Sequence, residues 1–165
     1  MREVGGRFQA AGNSSGPFKW FSRRTAPQGW PIHPNWEAFV HVAFLGRLRR
    51  ACGKEVRIGF EDRGMDFTVY REGRLYWYIE VKEKAETAER LVHDLGIVSR
   101  TTWDRSAAIP RSDARRDAKA KLKYLERFRP EAFSVVAIDF EEHFQAGSTT
   151  TLKSVAAPYR LPTAP

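Results

Sequence analysis

A single cysteine, Cys52, in a chain of 165 residues excludes an intramolecular disulfide and any cysteine-based zinc cluster. Its place near the end of a helical stretch, with no histidine or basic partner implied beside it, fits a small core residue better than a nucleophile. The histidines, His33, His41, His93 and His143, show no ligand spacing, so a zinc site is not expected. No apolar run approaches the roughly 18 residues of a membrane span, and no signal-peptide core is present. The expected compartment is therefore the cytoplasm, or the nucleoid if the cell is bacterial or archaeal. There is no Gly-x-x-x-x-Gly-Lys loop, which argues against intrinsic ATP hydrolysis, and no Ser/His/Asp arrangement stands out.

What is present is enough for one domain with tails. Hydrophobic residues make up 42%, with 11 Phe, 5 Trp and 5 Tyr, which can fill a core. The net charge of +8 is unevenly placed. Residues 1–34 carry +4 and residues 100–129 carry +6, whereas 35–99 balance and 130–165 carry −2. Positive charge in an N-terminal arm and one later segment suits a polyanionic partner, nucleic acid above all. Taken alone, it means only solubility and some non-specific binding.

The chain divides into three parts. Residues 1–33 read as a flexible basic and aromatic arm, rich in Gly and Pro. Its Phe18, Trp20, Phe21 and Trp30 stand beside Lys19, Arg23 and Arg24, a mixture that can stack on bases and pair phosphates, or can pack the arm onto the domain. Residues 34–144 form the folded domain, and 145–165 a loose tail. Within the domain, the apolar positions Trp36, Phe39, Val40, Ala43, Phe44 and Leu48 predict a helix over about 35–51, stopped by Gly53. Three strands follow over about 55–60, 65–71 and 74–82, with Glu72-Gly73 as a tight turn. A helix is predicted over 83–95 with Gly96 as its stop. Residues 97–110 are ambiguous, with Ile97-Val98 as the start of a short strand. A strong helix over 112–129 faces Ala118, Leu122, Leu125 and Phe128 inward, and 133–140 (FSVVAIDF) reads as a buried strand.

The most informative stretch is GMDFTVYREGRLYWYIEVKEK, from Gly64 to Lys84. Side chains alternate along a strand, so Glu80 and Lys82 point one way while Ile79 and Val81 point the other. If the hairpin brings Asp66 alongside, two carboxylates and an ammonium converge at the open end of a sheet. Two carboxylates can hold a divalent metal, and an ammonium beside them can stabilise a phosphate or orient a water. Charged groups on a strongly apolar strand need a reason. The plain alternative is a solvated sheet edge with a Glu/Lys pair worth about 0.2–1 kcal/mol.

This Asp, Glu-x-Lys arrangement resembles the PD-(D/E)xK nuclease superfamily, and most of all archaeal Holliday-junction resolvases and Mrr-type restriction domains through DFTVYREGRLYWYIEVK. Met65 stands where the namesake proline precedes the Asp. The resemblance covers about residues 35–140, with 83–110 as an insertion. It implies an α/β (α+β) fold with an αβββαβ restriction-endonuclease-like core, a mixed central sheet flanked by helices. It further implies a metal-dependent DNA endonuclease using Mg²⁺ or Mn²⁺, with Asp66, Glu80 and the Val81 carbonyl as ligands and Lys82 acting on water or phosphate. Glu37 would join from the first helix, although a first-turn Glu also simply suits a helix N-terminus. Arg115, Arg116, Lys119 and Lys123 on the crossover helix would track the DNA backbone, and Lys119 is the candidate there to reach the site. A homodimer or a place in a larger complex is compatible with this reading. The alternatives are a non-catalytic nucleic-acid-binding module and a complex subunit on a degenerate nuclease fold.

Overall fold

The computed structural model describes residues 37–146 and 152–158 in full, and before them the backbone of Trp36 and of a few short strands. Arg2–Val4, Arg7–Gln9 and Phe18–Lys19 form one small antiparallel sheet, and Phe21–Ser22 pairs with His33–Pro34. The rest of the arm, including Arg23, Arg24 and the side chain of Lys19, lies outside the described residues.

The domain proper runs α1 (Trp36–Cys52), β1 (Arg57–Asp62), β2 (Met65–Arg71), β3 (Arg74–Val81), α2 (Ala85–Arg100), α3 (Arg116–Phe128), β4 (Ala132–Ala137), β5 (Phe140–Gln145) and β6 (Lys153–Ser154). The last six strands form one mixed sheet in the order β6-β5-β4-β3-β2-β1. Only β3 and β4 run parallel, and the crossover between them carries α2 and α3. Both hairpins of the β1–β3 meander turn in two residues, Arg63-Gly64 and Glu72-Gly73, each with positive φ at both positions. That is the backbone a right-twisted hairpin favours, and it fixes the register of all three strands.

Two apolar layers sandwich the sheet. Val40, Phe44, Leu48 and Cys52 recur every fourth residue along α1 and pack on Phe67, Val69, Trp77, Ile79, Val81 and Val136. Leu91, Leu95 and Val98 of α2 and Ala118, Leu122 and Leu125 of α3 cover Tyr78, Phe133 and Val135 on the opposite face. Each fully buried Val, Leu, Ile or Phe among them contributes about 1.5–3 kcal/mol. The α1 stripe is narrower than its apolar content suggests, because Phe39 and Ala43 face outward. The Cys52 thiol is buried and pushed up to about 11, mainly by that burial, with Arg49 opposing. It is a core group at neutral pH.

Three expectations are corrected. Gly96 does not stop α2, which continues to Arg100, and Ile97-Val98 are helical rather than a strand. A mid-helix glycine costs about 1 kcal/mol relative to alanine, and burial of Leu95 and Val98 on either side offsets it. The helix expected from 112 starts at Arg116, after a turn in which the N–H of Arg116 bonds the Asp113 carbonyl. The run 133–140 is not one strand: β4 ends at Ala137, Ile138-Asp139 turn, and β5 returns antiparallel, its Gln145 pairing with Ala132. In the stretch read as a tail, Lys153–Ser154 adds a short pairing to β5. No helix among the described residues is long and apolar enough to cross a membrane.

Candidate functional site

The β2–β3 ladder is regular as far as Phe67 opposite Ile79. One step further the ladder ends, and Asp66 and Glu80 lie close enough there for one charge to act on the other. There the strands part: the Val81 N–H donates to Asp66 Oδ2 at 2.7 Å, and the Lys82 N–H bonds the Val136 carbonyl at 2.8 Å. A side chain thus takes a backbone donor at the point where the sheet opens.

Elements from both layers close on this point. Glu80 is only 3% exposed. Its Oε1 lies 2.8 Å from Lys82 Nζ, and its Oε2 lies 2.6 Å from Lys121 Nζ of α3. Lys121 is itself buried and also donates to the Gly64 carbonyl at 3.0 Å. Asp117, one helical turn before Lys121, holds Lys82 Nζ at 3.0 Å. On the other side, His41 Nε2 of α1 stands 3.5 Å from Asp66 Oδ1.

Gly64 matters to this geometry. It sits at φ +78°, and a Cβ there would come within 2.4 Å of the Tyr124 ring of α3. Glycine therefore lets the β1–β2 turn press against α3 and offer its carbonyl to Lys121.

The electrostatics are divided. Burial pushes Glu80 up, and the nearby Asp66 pushes it further, against the pull of Lys121 and Lys82. Burial would raise Asp66 too, but His41, the Val81 N–H and Lys121 outweigh it and hold this carboxyl below the usual range. Lys82 is held firmly protonated: burial opposes its charge, and Glu80 and Asp117 overcome that. The site therefore keeps one readily ionised carboxylate, one carboxyl reluctant to ionise, and an ammonium between two acids.

Asp66, Glu80 and Lys82 are thus brought together, as their strand positions suggested. Lys121, Asp117 and His41 complete the cluster and were not singled out in the sequence. Lys121 stands where Lys119 was the candidate; Lys119 instead pairs Asp113 at 2.6 Å and sits over the Trp103 ring. Glu37 is exposed, one turn before His41 on the same helix. Lys123 donates to the Ala107 carbonyl at 2.5 Å, Arg115 contacts Asp94 at 3.3 Å, and Arg116 is exposed.

Among the described residues, no group of three or more His, Cys, Asp or Glu side chains is arranged to hold a metal ion. Two neighbouring carboxylates remain, and Mg²⁺ typically takes only one or two from a protein, filling its shell with water and phosphate oxygens. The donor set of Asp66 and Glu80 fits such an ion in kind, and the strain of setting like charges close together is what a cation relieves.

A second polar cluster contains a serine, a histidine and a carboxylate. Ser134 Oγ is 2.7 Å from His143 Nδ1, and His143 Nε2 is 3.6 Å from Glu141 Oε2. Ser134 is fully buried and its Oγ accepts from Trp77 Nε1 at 2.8 Å. A hydroxyl sealed under a tryptophan cannot meet a substrate, so this is a structural network.

No family model matches the chain, and neither a curated protein nor a solved structure matches it.

Proposed function

We propose that this chain is a metal-dependent DNA endonuclease that hydrolyses phosphodiester bonds, as its resemblance to the PD-(D/E)xK superfamily implies. The observation that carries the reading is the meeting of Asp66 and Glu80 at the parting of β2 and β3, with Lys82 and Lys121 both against Glu80. The order of a helix, a three-stranded meander and a crossover to a parallel strand supports an αβββαβ core.

On this reading Asp66 and Glu80 would hold Mg²⁺ or Mn²⁺, with the Val81 carbonyl as a further oxygen, and the ion would supply Lewis acidity at the phosphate. The protein's own groups do the rest. Lys82, kept protonated, stabilises charge developing on phosphate oxygens or orients the attacking water. Lys121 offsets the negative charge of Glu80 and fixes its carboxylate against the Gly64 carbonyl. Asp117 positions Lys82, and His41 positions Asp66. Glu37, exposed near the same end of α1, is placed to contribute through water. Cutting both strands of a duplex would take two copies.

A second reading has one observation in its favour. Both Glu80 oxygens are engaged by ammonium groups, so the cluster balances much of its own charge, as a nucleic-acid-binding module without catalysis would. Incubating wild type and Lys82→Ala with plasmid, linear and branched DNA, in Mg²⁺, Mn²⁺ or EDTA, separates the two. Metal-dependent cleavage that disappears in the variant supports the nuclease. Equal binding by both proteins with no cleavage by either supports the module.

A further inference from the structure

Between α2 and α3 lies an open groove of about 290 Å³, lined among others by Thr87, Arg90, Asp94, Arg115 and Asp117. It adjoins the candidate site directly, because Asp117, one of its lining residues, is the one that holds Lys82. We propose that this groove is a subsite for a backbone phosphate neighbouring the one that is cut, with Arg90 and Arg115 as its cations. The proposal rests on the nuclease reading of the adjoining site.

The disposition of the cations selects this groove. Four basic residues of the α2–α3 region near the site are committed within the protein. Lys121 serves Glu80, Lys119 serves Asp113, Lys123 reaches the Ala107 carbonyl, and Arg105 pairs Glu126. Arg90 is exposed on the groove and has no ion-pair or hydrogen-bond partner among the described residues. Arg115 is touched through Nε alone, by Asp94 at 3.3 Å. A carboxylate on Nε orients the guanidinium and leaves its two terminal nitrogens for a bidentate bond, the geometry that recognises phosphate. Of the two acids of the groove, Asp117 is spent on Lys82, while Asp94 offsets part of the Arg115 charge and leaves Arg90 as the groove's uncommitted cation. The Thr87 hydroxyl adds a neutral donor on the α2 wall.

The test uses the whole chain and a labelled DNA duplex in EDTA, so that binding is read without cleavage. Affinity is measured across a range of KCl for wild type, the Arg90→Ala/Arg115→Ala double variant, and an Arg71→Ala/Arg74→Ala control. Arg71 and Arg74 are exposed and flank the Glu72-Gly73 turn at the opposite end of the hairpin from Asp66. The control removes the same charge from a distant place. Loss of one phosphate contact should lower the slope of log K against log salt by about 0.9 and weaken binding several-fold at low salt. That change is expected in the groove variant and not in the control. In Mg²⁺, the groove variant should raise KM with kcat kept, the mark of lost uniform binding.

Equal slopes for the groove variant and the control overturn the subsite, even where wild type cuts DNA and Lys82→Ala does not. A wild type that neither binds nor cuts DNA overturns the nuclease reading and the subsite with it.

Discussion

On the α1 face of the sheet, Trp77, Ser134, His143, Glu141 and Arg47 form a chain of polar contacts across β3, β4 and β5 and onto the helix. Where β2 and β3 part, at a point reached from both helical layers, Asp66 with His41 of α1 lies beside a knot of charges made by Glu80, Lys82, Lys121 and Asp117. Both clusters are partly buried, and both bind strands to helices. They differ in how they are satisfied. In the first, with the histidine tautomer that its contacts favour, each donor meets one acceptor: tryptophan to serine, serine to histidine, histidine and arginine to glutamate. In the second, Asp66 works against the charge of Glu80, and one ammonium, that of Lys82, is shared between Glu80 and Asp117. A buried polar group that is fully matched specifies register. One held against like charge is a candidate for function, and the two clusters can be told apart by experiment.

The contrast between the clusters breaks most visibly at Asp66. Asp66→Asn keeps the size of the side chain and removes its charge. Cleavage per folded molecule should fall by about 10²–10³, the loss typical of a group that stabilises transition-state charge. Denaturant unfolding of this variant should show only a modest loss, since the amide still offers an oxygen to the Val81 N–H but gives up the charge that His41 and Lys121 favour. A fully active variant would strip the cluster of its proposed role.

Next in size is the response to a cation. Mn²⁺ at about one hundred times its dissociation constant should stabilise wild type by about 2.7 kcal/mol, read as a rise in Tm. Glu80→Gln should lose most of that rise. A variant in the matched network, such as Ser134→Ala, should keep it. Equal shifts in all three proteins would mean that the ion binds elsewhere.

Ser134→Ala itself sharpens the contrast from the other side. It leaves the buried Trp77 N–H and the His143 ring without the hydroxyl between them, at a cost of about 1–3 kcal/mol in unfolding free energy. Cleavage per folded molecule should be unchanged. A loss of activity matching that of Asp66→Asn would make the serine cluster functional and undo the distinction.

The sequence disclosed the clusters unequally, and for a physical reason. Asp66, Glu80 and Lys82 were legible because strand alternation and a Glu-Gly turn determine which side chains can meet, all within 17 residues of chain. Lys121, Asp117 and His41 were not, because they arrive on α3 and α1, and helix rotation is set by packing across the whole domain. Position along α3 suggested Lys119; the buried stripe of Ala118, Leu122 and Leu125 turns Lys121 inward instead. The β4–β5 hairpin was missed because Ile138-Asp139 lacks the glycine or asparagine that marks most tight turns, and the apolar run reads through it. Ser134 and His143 pair only by virtue of that hairpin, so the second cluster stayed hidden with it.

The smallest expected effect is a difference in how the two clusters meet acid. The contact from His143 holds Glu141 below the usual carboxylate range; burial works against this and Arg47 adds to it. A carboxyl depressed by folding contributes stability above its ordinary value of 4.5, and that stability is lost as pH falls through the lower folded value. Glu80 has the opposite sign. Burial and Asp66 raise it, so its share of stability is present below 4.5 and is lost as pH rises through the folded value. Denaturant midpoints for wild type and Glu141→Gln at pH 7, 5 and 3.5 isolate the first of these. Wild type should lead at pH 7 and 5 by less than about 1 kcal/mol, because Glu141 is partly open to solvent. That lead should shrink at pH 3.5. A lead that stays constant across the three values would show that the glutamate acts through packing, and would leave the matched network neutral in its response to acid.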